Sequence, residues 1–254
     1  MPFPDESFAQ RVVAPAREGW EAEAGRPPVL GVDGCKAGWV GALLRGSSYD
    51  VLVAADIRAL VEEARRRAPA LGIVAIDIPI GLPDDRPRAT DGEARRRLPV
   101  GRKSSVFPTP SRAAVEHTTH PEASAANRAS VGVGLSVQAF HLVPKILDVD
   151  VFVRSGPSVT LVEAHPEVCF AEIDQACVIA SKTTPEGGAL RRAALRSVGL
   201  EPPAYGGGQG YAADDLLDAC AVAWTARRYA EGTAYSLPDP PEVFSDGIPA
   251  AIWV

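Results

Sequence analysis

The chain has 254 residues, 46% of them hydrophobic, and a formal net charge of -6 at pH 7. This composition supports one large buried core and argues against a protein that coats nucleic acid non-specifically. No run of about 18 apolar residues is present, and the first residues lack the basic and apolar regions of a signal peptide. We therefore expect a cytoplasmic protein without a membrane span. The widely spaced cysteines, which form no C-x-x-C pair, are expected to be packed thiols in a reducing compartment. They are Cys35, Cys169, Cys177 and Cys220.

The first half of the chain predicts a small meander and a crossover. Residues 1–27 show no sustained period and are expected to form a peripheral N-terminal arm. Three apolar runs with glycine-containing turns then predict three antiparallel strands, namely V-L-G-V-D, G-W-V-G-A-L-L and Y-D-V-L-V-A. A helix is predicted from Ile57 to Ala68 with Asp56 as its N-cap. The run G-I-V-A-I-D-I predicts a fourth strand.

The second half predicts a long insertion followed by a return to the sheet. Residues 79–147 are too many for a simple crossover and predict a large helical insertion over one edge or end of the sheet. The run S-V-T-L-V-E-A predicts a fifth strand, and helices are predicted near 166–173, 186–198 and 213–230. The remaining tail, S-L-P-D-P-P-E-V-F-S-D-G-I-P, is predicted to be loop. A short strand at A-I-W-V is an open alternative. We therefore expect one α/β domain over residues 28–254, with a mixed five-stranded sheet of three antiparallel strands and then helix-linked parallel strands.

Short acidic segments are the candidates for chemistry. Asp33, Asp77 and Glu163 each close an apolar, largely β-branched run, which is how a buried strand presents a carboxylate at its tip. Asp215 and Asp218 stand three residues apart on a predicted helix, so both carboxylates can point the same way. Gathered carboxylates repel one another unless a cation lies among them, and Mg²⁺ and Mn²⁺ prefer oxygen ligands. The sequence therefore predicts a metal site at these catalytic candidates.

For several of these residues a purely structural role is an alternative to a role in chemistry. Asp33 precedes a glycine, and Asp-Gly is a common turn pair. Asp77 is harder to explain structurally, because a carboxylate between two isoleucines is costly to bury unless it is paired or metal-bound. His165 either orients a water or phosphate or caps the helix that begins at Pro166. Asp214 is predicted to be only the N-cap of the last helix.

A basic segment accompanies the acidic residues. Between Arg86 and Lys103 there are seven basic residues and two acidic ones, against the acidic balance of the whole chain. A polyanionic substrate held over metal-binding carboxylates would need such a segment, whereas the alternative is a solvated helix face. Within it, G-R-K-S-S-V-F predicts phosphate contacts from Arg102, Lys103, Ser104 and Ser105.

Seven motifs in this order resemble a family called domain of unknown function 429, over roughly Val29 to Tyr229. They are G-V-D-G-C-K-A-G-W-V, I-D-I-P-I-G-L-P, G-R-K-S-S-V-F, G-V-G-L-S-V-Q, P-K-I-L-D-V-D, V-E-A-H-P-E and A-D-D-L-L-D-A. That family is described as predicted nucleases of the RNase H fold, so the resemblance implies an RNase H-like sheet and phosphodiester hydrolysis. Lys145, in the fifth motif, joins the candidate substrate-binding residues.

The wider superfamily includes the RuvC-type Holliday-junction resolvases. Their first-strand aspartate, fourth-strand acid and C-terminal D-x-x-D resemble Asp33, Asp77 and the pair Asp215 and Asp218, which the resemblance marks as metal ligands. Glu163 has no equally firm counterpart there.

Three functions follow as hypotheses. The first is a Mg²⁺ or Mn²⁺ dependent nuclease that cleaves DNA or RNA with a metal-activated water. The second is an actin-like ATP-binding phosphotransferase with D-G-C-K-A-G as its phosphate loop, although no second D-x-G loop and no Gly-Gly adenosine motif is found. The third is a non-catalytic module of the same fold that binds nucleic acid or a protein. We do not expect the protein to bind membranes, and a homodimer is an open alternative.

Overall fold

The computed structural model describes residues 26–203 and 207–254, so most of the predicted arm at residues 1–27 lies outside the described residues. The described chain is a mixed α/β structure around one sheet of seven strands in the order β3-β2-β1-β4-β5-β7-β6. The strands are β1 (Val29–Cys35), β2 (Gly38–Arg45), β3 (Ser48–Ala54), β4 (Ile73–Ile76), β5 (Thr160–Ala164), β6 (Ser236–Val243) and β7 (Pro249–Trp253).

The sheet combines antiparallel and parallel pairs. Strands β1, β2 and β3 form the predicted antiparallel meander, and β4 and β5 continue the sheet in parallel beside β1. Strand β7 is parallel to β5, and β6 pairs antiparallel with β7. The expectation of five strands is therefore wrong. Strand β6 was missed because its sequence S-L-P-D-P-P-E-V carries three prolines, which a sheet tolerates only at an edge such as the one β6 occupies.

The described residues contain three short 3-10 helices (Val100–Ser105, Ala114–Glu116 and Gln175–Val178) and eight α-helices. The α-helices are α1 (Ile57–Arg67), α2 (Ala89–Arg97), α3 (His120–Val131), α4 (Val137–His141), α5 (Val143–Arg154), α6 (Pro166–Ile173), α7 (Pro185–Ser197) and α8 (Ala213–Ala230). Asp56 caps α1 as predicted, since its carboxylate accepts from the Ala59 N–H at 2.8 Å. Helices α2 to α5 lie between β4 and β5, in the region where the sequence predicts an insertion. None of the described helices has the length and apolar character needed to span a membrane.

The two faces of the sheet carry separate apolar cores. Along β1, Val29 packs into the core that contains α8, and Leu30 packs into the core that contains α1 and α5. This alternation places Asp33 on the α8 face of β1, in phase with Val29. On β4, Ile73 and Ala75 belong to the α8 core, so the same alternation directs Asp77 to that face. All four cysteines are free, and the prediction of packed thiols is confirmed for the three that are buried, Cys169, Cys177 and Cys220, whereas Cys35 is partly buried.

Gly31 determines how closely α8 approaches the sheet. A Cβ atom added at Gly31 would lie 2.1 Å from the Ala219 carbonyl oxygen and 2.2 Å from the Ala223 nitrogen. Only glycine therefore allows the α8 backbone to rest directly on β1. Because Asp218 immediately precedes Ala219, this contact brings its carboxylate to the carboxyl end of β1.

Candidate active site at the carboxyl ends of β1 and β4

Asp33 and Asp77 lie side by side at one end of the sheet. Strands β1 and β4 pair in parallel up to Val32 and Ile76, and the Asp77 N–H donates to the Val32 carbonyl at 3.0 Å. The two aspartates follow these paired residues on adjacent strands, which are about 4.8 Å apart. With Asp218 from α8, they form a group that we call the aspartate cluster: Asp33, Asp77 and Asp218.

Burial and repulsion from nearby carboxylates raise the pKa of every member of the aspartate cluster. Burial raises the pKa of Asp33 well above its usual value of 3.8, and the charges of Asp77 and Asp218 raise it further. Burial also raises the pKa of Asp77 to about 7 and that of Asp218 to about 6, although the Lys182 charge opposes both shifts. At neutral pH the cluster therefore needs added positive charge before all three carboxylates are ionised.

Lys182 supplies one positive charge to the cluster. Its Nζ donates to Asp218 Oδ2 at 2.5 Å. Burial lowers the pKa of Lys182, but the charge of Asp218 and this hydrogen bond outweigh burial, and the net pKa is raised. Sequence reasoning missed Lys182, since a single lysine in the loop sequence S-K-T-T carries no recognisable signal.

The donor atoms of the cluster suit a hard cation. Asp218 Oδ1 is buried and has no hydrogen-bond partner, and Asp77 accepts no hydrogen bond from the described residues. Asp33 Oδ1 accepts from the Gly34 N–H at 2.7 Å. Carboxylate oxygens with unused acceptor capacity fit Mg²⁺ or Mn²⁺ by chemistry. As placed, however, no three His, Cys, Asp or Glu side chains in the described part of the chain are arranged to hold a metal ion.

Glu163 borders the same cavity as Asp33 and Asp77, but its carboxylate is paired with Arg88 and does not join the aspartate cluster. Its neighbours Val162 and Ala164 belong to the α8 core, so the alternation of β5 directs Glu163 to the opposite face of the sheet. Its carboxylate accepts from Arg88 Nη1 at 2.9 Å, from Arg88 Nη2 at 2.7 Å and from the Ile80 N–H at 2.8 Å. Burial raises the pKa of Glu163, and the Arg88 guanidinium opposes this. The charge of Glu163 is therefore balanced by Arg88, whose Nε also lies 3.3 Å from Asp91 Oδ1.

Asp215 is engaged at the start of α8. Its Oδ2 accepts from the Ala212 N–H at 2.8 Å, as a carboxylate at the third helical position does in a capping box. Its charge is the smallest of the contributions that raise the pKa of Asp33, so it lies at the margin of the aspartate cluster. The N-cap prediction for Asp214 is wrong, because Ala212 is the N-cap and Asp214 lies within the first turn.

A cleft of about 210 Å³ opens beside Asp33 and Asp77. Lys145 lines it and lies over the Trp39 ring, 4.3 Å from the ring centroid, and its ammonium donates to the Gly38 carbonyl. His165 lines it too, with Nε2 3.3 Å from the Ser105 carbonyl oxygen. Burial lowers the pKa of both Lys145 and His165. The cleft therefore joins acidic oxygens to one ammonium group and a neutral imidazole.

His165 occupies the N-cap position of α6, but its side chain makes no capping hydrogen bond. Its Nδ1 is buried and has no hydrogen-bond partner among the described residues. One ring nitrogen of the imidazole is therefore buried and, among these residues, unpaired, while the other lies 3.3 Å from the Ser105 carbonyl oxygen.

The basic segment has a mainly structural role. Arg88 is fully buried against Glu163, and Arg95 Nε donates to the Val106 carbonyl at 2.9 Å. Arg102 donates to the carbonyls of Val178 and Ile179 at 2.7 and 3.0 Å. The four residues predicted to contact phosphate differ in their exposure and their contacts. Lys103 and Ser104 are exposed and Ser105 lines the cleft, whereas the guanidinium of Arg102 holds two loops together.

A second acidic layer lies behind the cluster. Glu167 is buried, and its Oε1 accepts from Arg191 Nη2 at 2.8 Å, while its Oε2 has no hydrogen-bond partner within residues 26–203 and 207–254. Its charge raises the pKa of both Asp77 and Asp218. The sequence gives no signal for Arg191 as the partner of Glu167, because the two residues are 24 positions apart.

Fold and site together define a mixed α/β protein with an acidic cleft at the carboxyl ends of two central strands. A family model described as Protein of unknown function (DUF429) matches residues 31–243. The chain therefore belongs to this family. Comparisons with curated proteins and with solved structures found no match.

Proposed function

We propose that the protein is a divalent-metal-dependent nuclease that hydrolyses phosphodiester bonds in DNA or RNA, on a sheet of the RNase H type. The observation that carries the proposal is the aspartate cluster: three carboxylates from β1, β4 and α8 meet beside a cleft, and each has a raised pKa. Strongly perturbed carboxylates at a cleft are typical of functional sites. The antiparallel meander followed by parallel β4 and β5 supports the RNase H-like part of the proposal.

The chain's own residues would divide the work as follows. Asp33, Asp77 and Asp218 would hold Mg²⁺ or Mn²⁺, with Asp215 at the margin. Such an ion supplies Lewis acidity and lowers the pKa of a bound water. Lys145 would attract the phosphate to the cleft, and the neutral imidazole of His165 can accept or donate one hydrogen bond to it. In the overall reaction the oxygen of water bonds to phosphorus, one P–O ester bond breaks, and the departing oxygen takes a proton.

The protonation of Cys35, at the end of β1, also favours direct attack by water. Burial raises the pKa of Cys35, so the thiol stays protonated at neutral pH. A protonated thiol is a poor nucleophile. This favours hydrolysis by water over a covalent cysteine intermediate.

The test is cleavage of a panel of labelled single-stranded, duplex, hybrid and branched nucleic acids, with Mg²⁺, Mn²⁺ or chelator. We expect metal-dependent cleavage of at least one substrate and a loss of about 100-fold or more in Asp77→Asn and Asp218→Asn. Asp214→Asn is the matched control, because it removes the same charge from the same helix outside the cluster. Equal rates for wild type and Asp77→Asn across the panel would eliminate the nuclease.

A further inference from the structure

The contact between Lys182 and Asp218 fills a position that a cation would take. Asp218 is only 2% exposed, and the ammonium lies on its Oδ2. The Lys182 side chain remains 37% exposed, so its stem reaches in from the surface. Asp218 Oδ1 stays buried and has no hydrogen-bond partner in the part of the chain that the structure describes. A single ammonium group therefore leaves half of this carboxylate unsatisfied.

The loop that carries Lys182 is built to hold it there. A Cβ atom added at Gly187 would lie 1.9 Å from the Ser181 carbonyl oxygen, so the loop rests directly on the first turn of α7. Arg191 Nη1 donates to the Ala180 carbonyl at 3.2 Å, and the Thr184 side chain accepts from the Gly187 N–H at 3.1 Å. These contacts fix the backbone on both sides of Lys182. The long side chain can nevertheless rotate into solvent without moving the loop.

We propose that Lys182 sets the metal affinity of the site: its ammonium is the resting counter-ion of Asp218 and must leave before Mg²⁺ or Mn²⁺ binds. The inference rests on the metal site of the proposed function. It explains why the three aspartates lie close together although the described side chains are not arranged to bind a metal ion. The ammonium holds Asp218 ionised and in place, and it competes with the incoming ion for the same carboxylate.

The test is titration calorimetry of the full-length chain with Mn²⁺ alone, with no substrate present. Lys182→Met should bind Mn²⁺ at least about tenfold more tightly than wild type, because a positive charge within a few ångströms of the ion is removed. Lys182→Arg keeps the charge and should stay within about threefold of wild type. Lys36→Met is the matched control, since it removes an exposed lysine that contacts no member of the cluster.

Each outcome decides between the alternatives. Unchanged or weaker Mn²⁺ binding by folded Lys182→Met would overturn the inference and reduce Lys182 to a structural partner of Asp218. If Lys182→Met does not fold by circular dichroism, Lys182→Gln, which keeps a donor for Asp218, replaces it under the same criteria. Tighter Mn²⁺ binding without cleavage of any nucleic acid would uphold the inference and refute the nuclease. No Mn²⁺ binding by any form would refute both.

Discussion

Replacing Asp77 with asparagine should stabilise the metal-free protein. Burial raises the pKa of Asp77 from its usual 3.8 to about 7, and each pKa unit corresponds to about 1.4 kcal/mol. The ionised carboxylate therefore costs the folded state up to about 4 kcal/mol. Asparagine has nearly the same shape and no charge, and Asp77 accepts no hydrogen bond from the described residues that it would lose. We expect a gain of about 1–3 kcal/mol, equivalent to a rise in Tm of roughly 2–4 °C for each kcal/mol in a protein of this size.

The pH dependence of this gain has a definite sign. Above pH 7, Asp77 is ionised in both the folded and the unfolded chain, and the full cost is present. Between pH 7 and pH 3.8 the folded protein keeps a proton that the unfolded chain has lost, so the cost shrinks as the pH falls. The advantage of Asp77→Asn should therefore be greatest above pH 7 and should fade near pH 4.

Urea and thermal unfolding, followed by circular dichroism in chelator across this pH range, measure the effect. Asp214→Asn is the control and should be slightly destabilising, because it removes a favourable negative charge from the start of α8. A lower Tm for Asp77→Asn at pH 8, or an equal gain at both ends of the pH range, would refute the electrostatic reasoning.

Two further substitutions test the structure around the site. Glu163→Gln should destabilise the protein by about 2–3 kcal/mol in urea unfolding, because the buried Arg88 loses the Glu163 charge and keeps that of Asp91; an effect below about 1 kcal/mol would mean that the Arg88–Glu163 ion pair is not formed. Gly31→Ala should cost about 2 kcal/mol or more, because its Cβ would overlap the α8 backbone. Gly188→Ala is its control, since a Cβ there meets nothing within 4 Å and alanine favours the helix; equal stability of these two glycine variants would contradict the close packing of α8 on β1.

The strands and helices whose apolar residues repeat with a regular period could be predicted from the sequence. Strands β1 to β5 and helices α1, α6, α7 and α8 follow runs with a clear period of two or 3.6 residues, so their positions could be read from the chain. Strand β6 could not, because its prolines resemble a loop and only pairing with β7 makes it a strand. Its presence depends on an edge position that the sequence does not reveal.

Long-range partners limited the prediction of the site. Asp33 and Asp77 were identifiable because a carboxylate at the tip of a buried strand is unusual in itself. Glu163 shows the same local pattern and lines the same cleft, yet it stands one residue out of phase on β5, and its carboxylate pairs with Arg88, 75 residues away in the chain. Lys182 lies 36 residues from Asp218. Such pairs depend on tertiary packing and leave no trace in local periodicity.

A crystal of the full chain soaked in Mn²⁺ and measured for anomalous scattering tests the central claim most directly. We predict an anomalous peak coordinated by Asp33, Asp77 and Asp218, with the Lys182 ammonium displaced from Asp218. A site without such a peak, in which Lys182 still contacts Asp218 at saturating Mn²⁺, would contradict the metal-dependent mechanism.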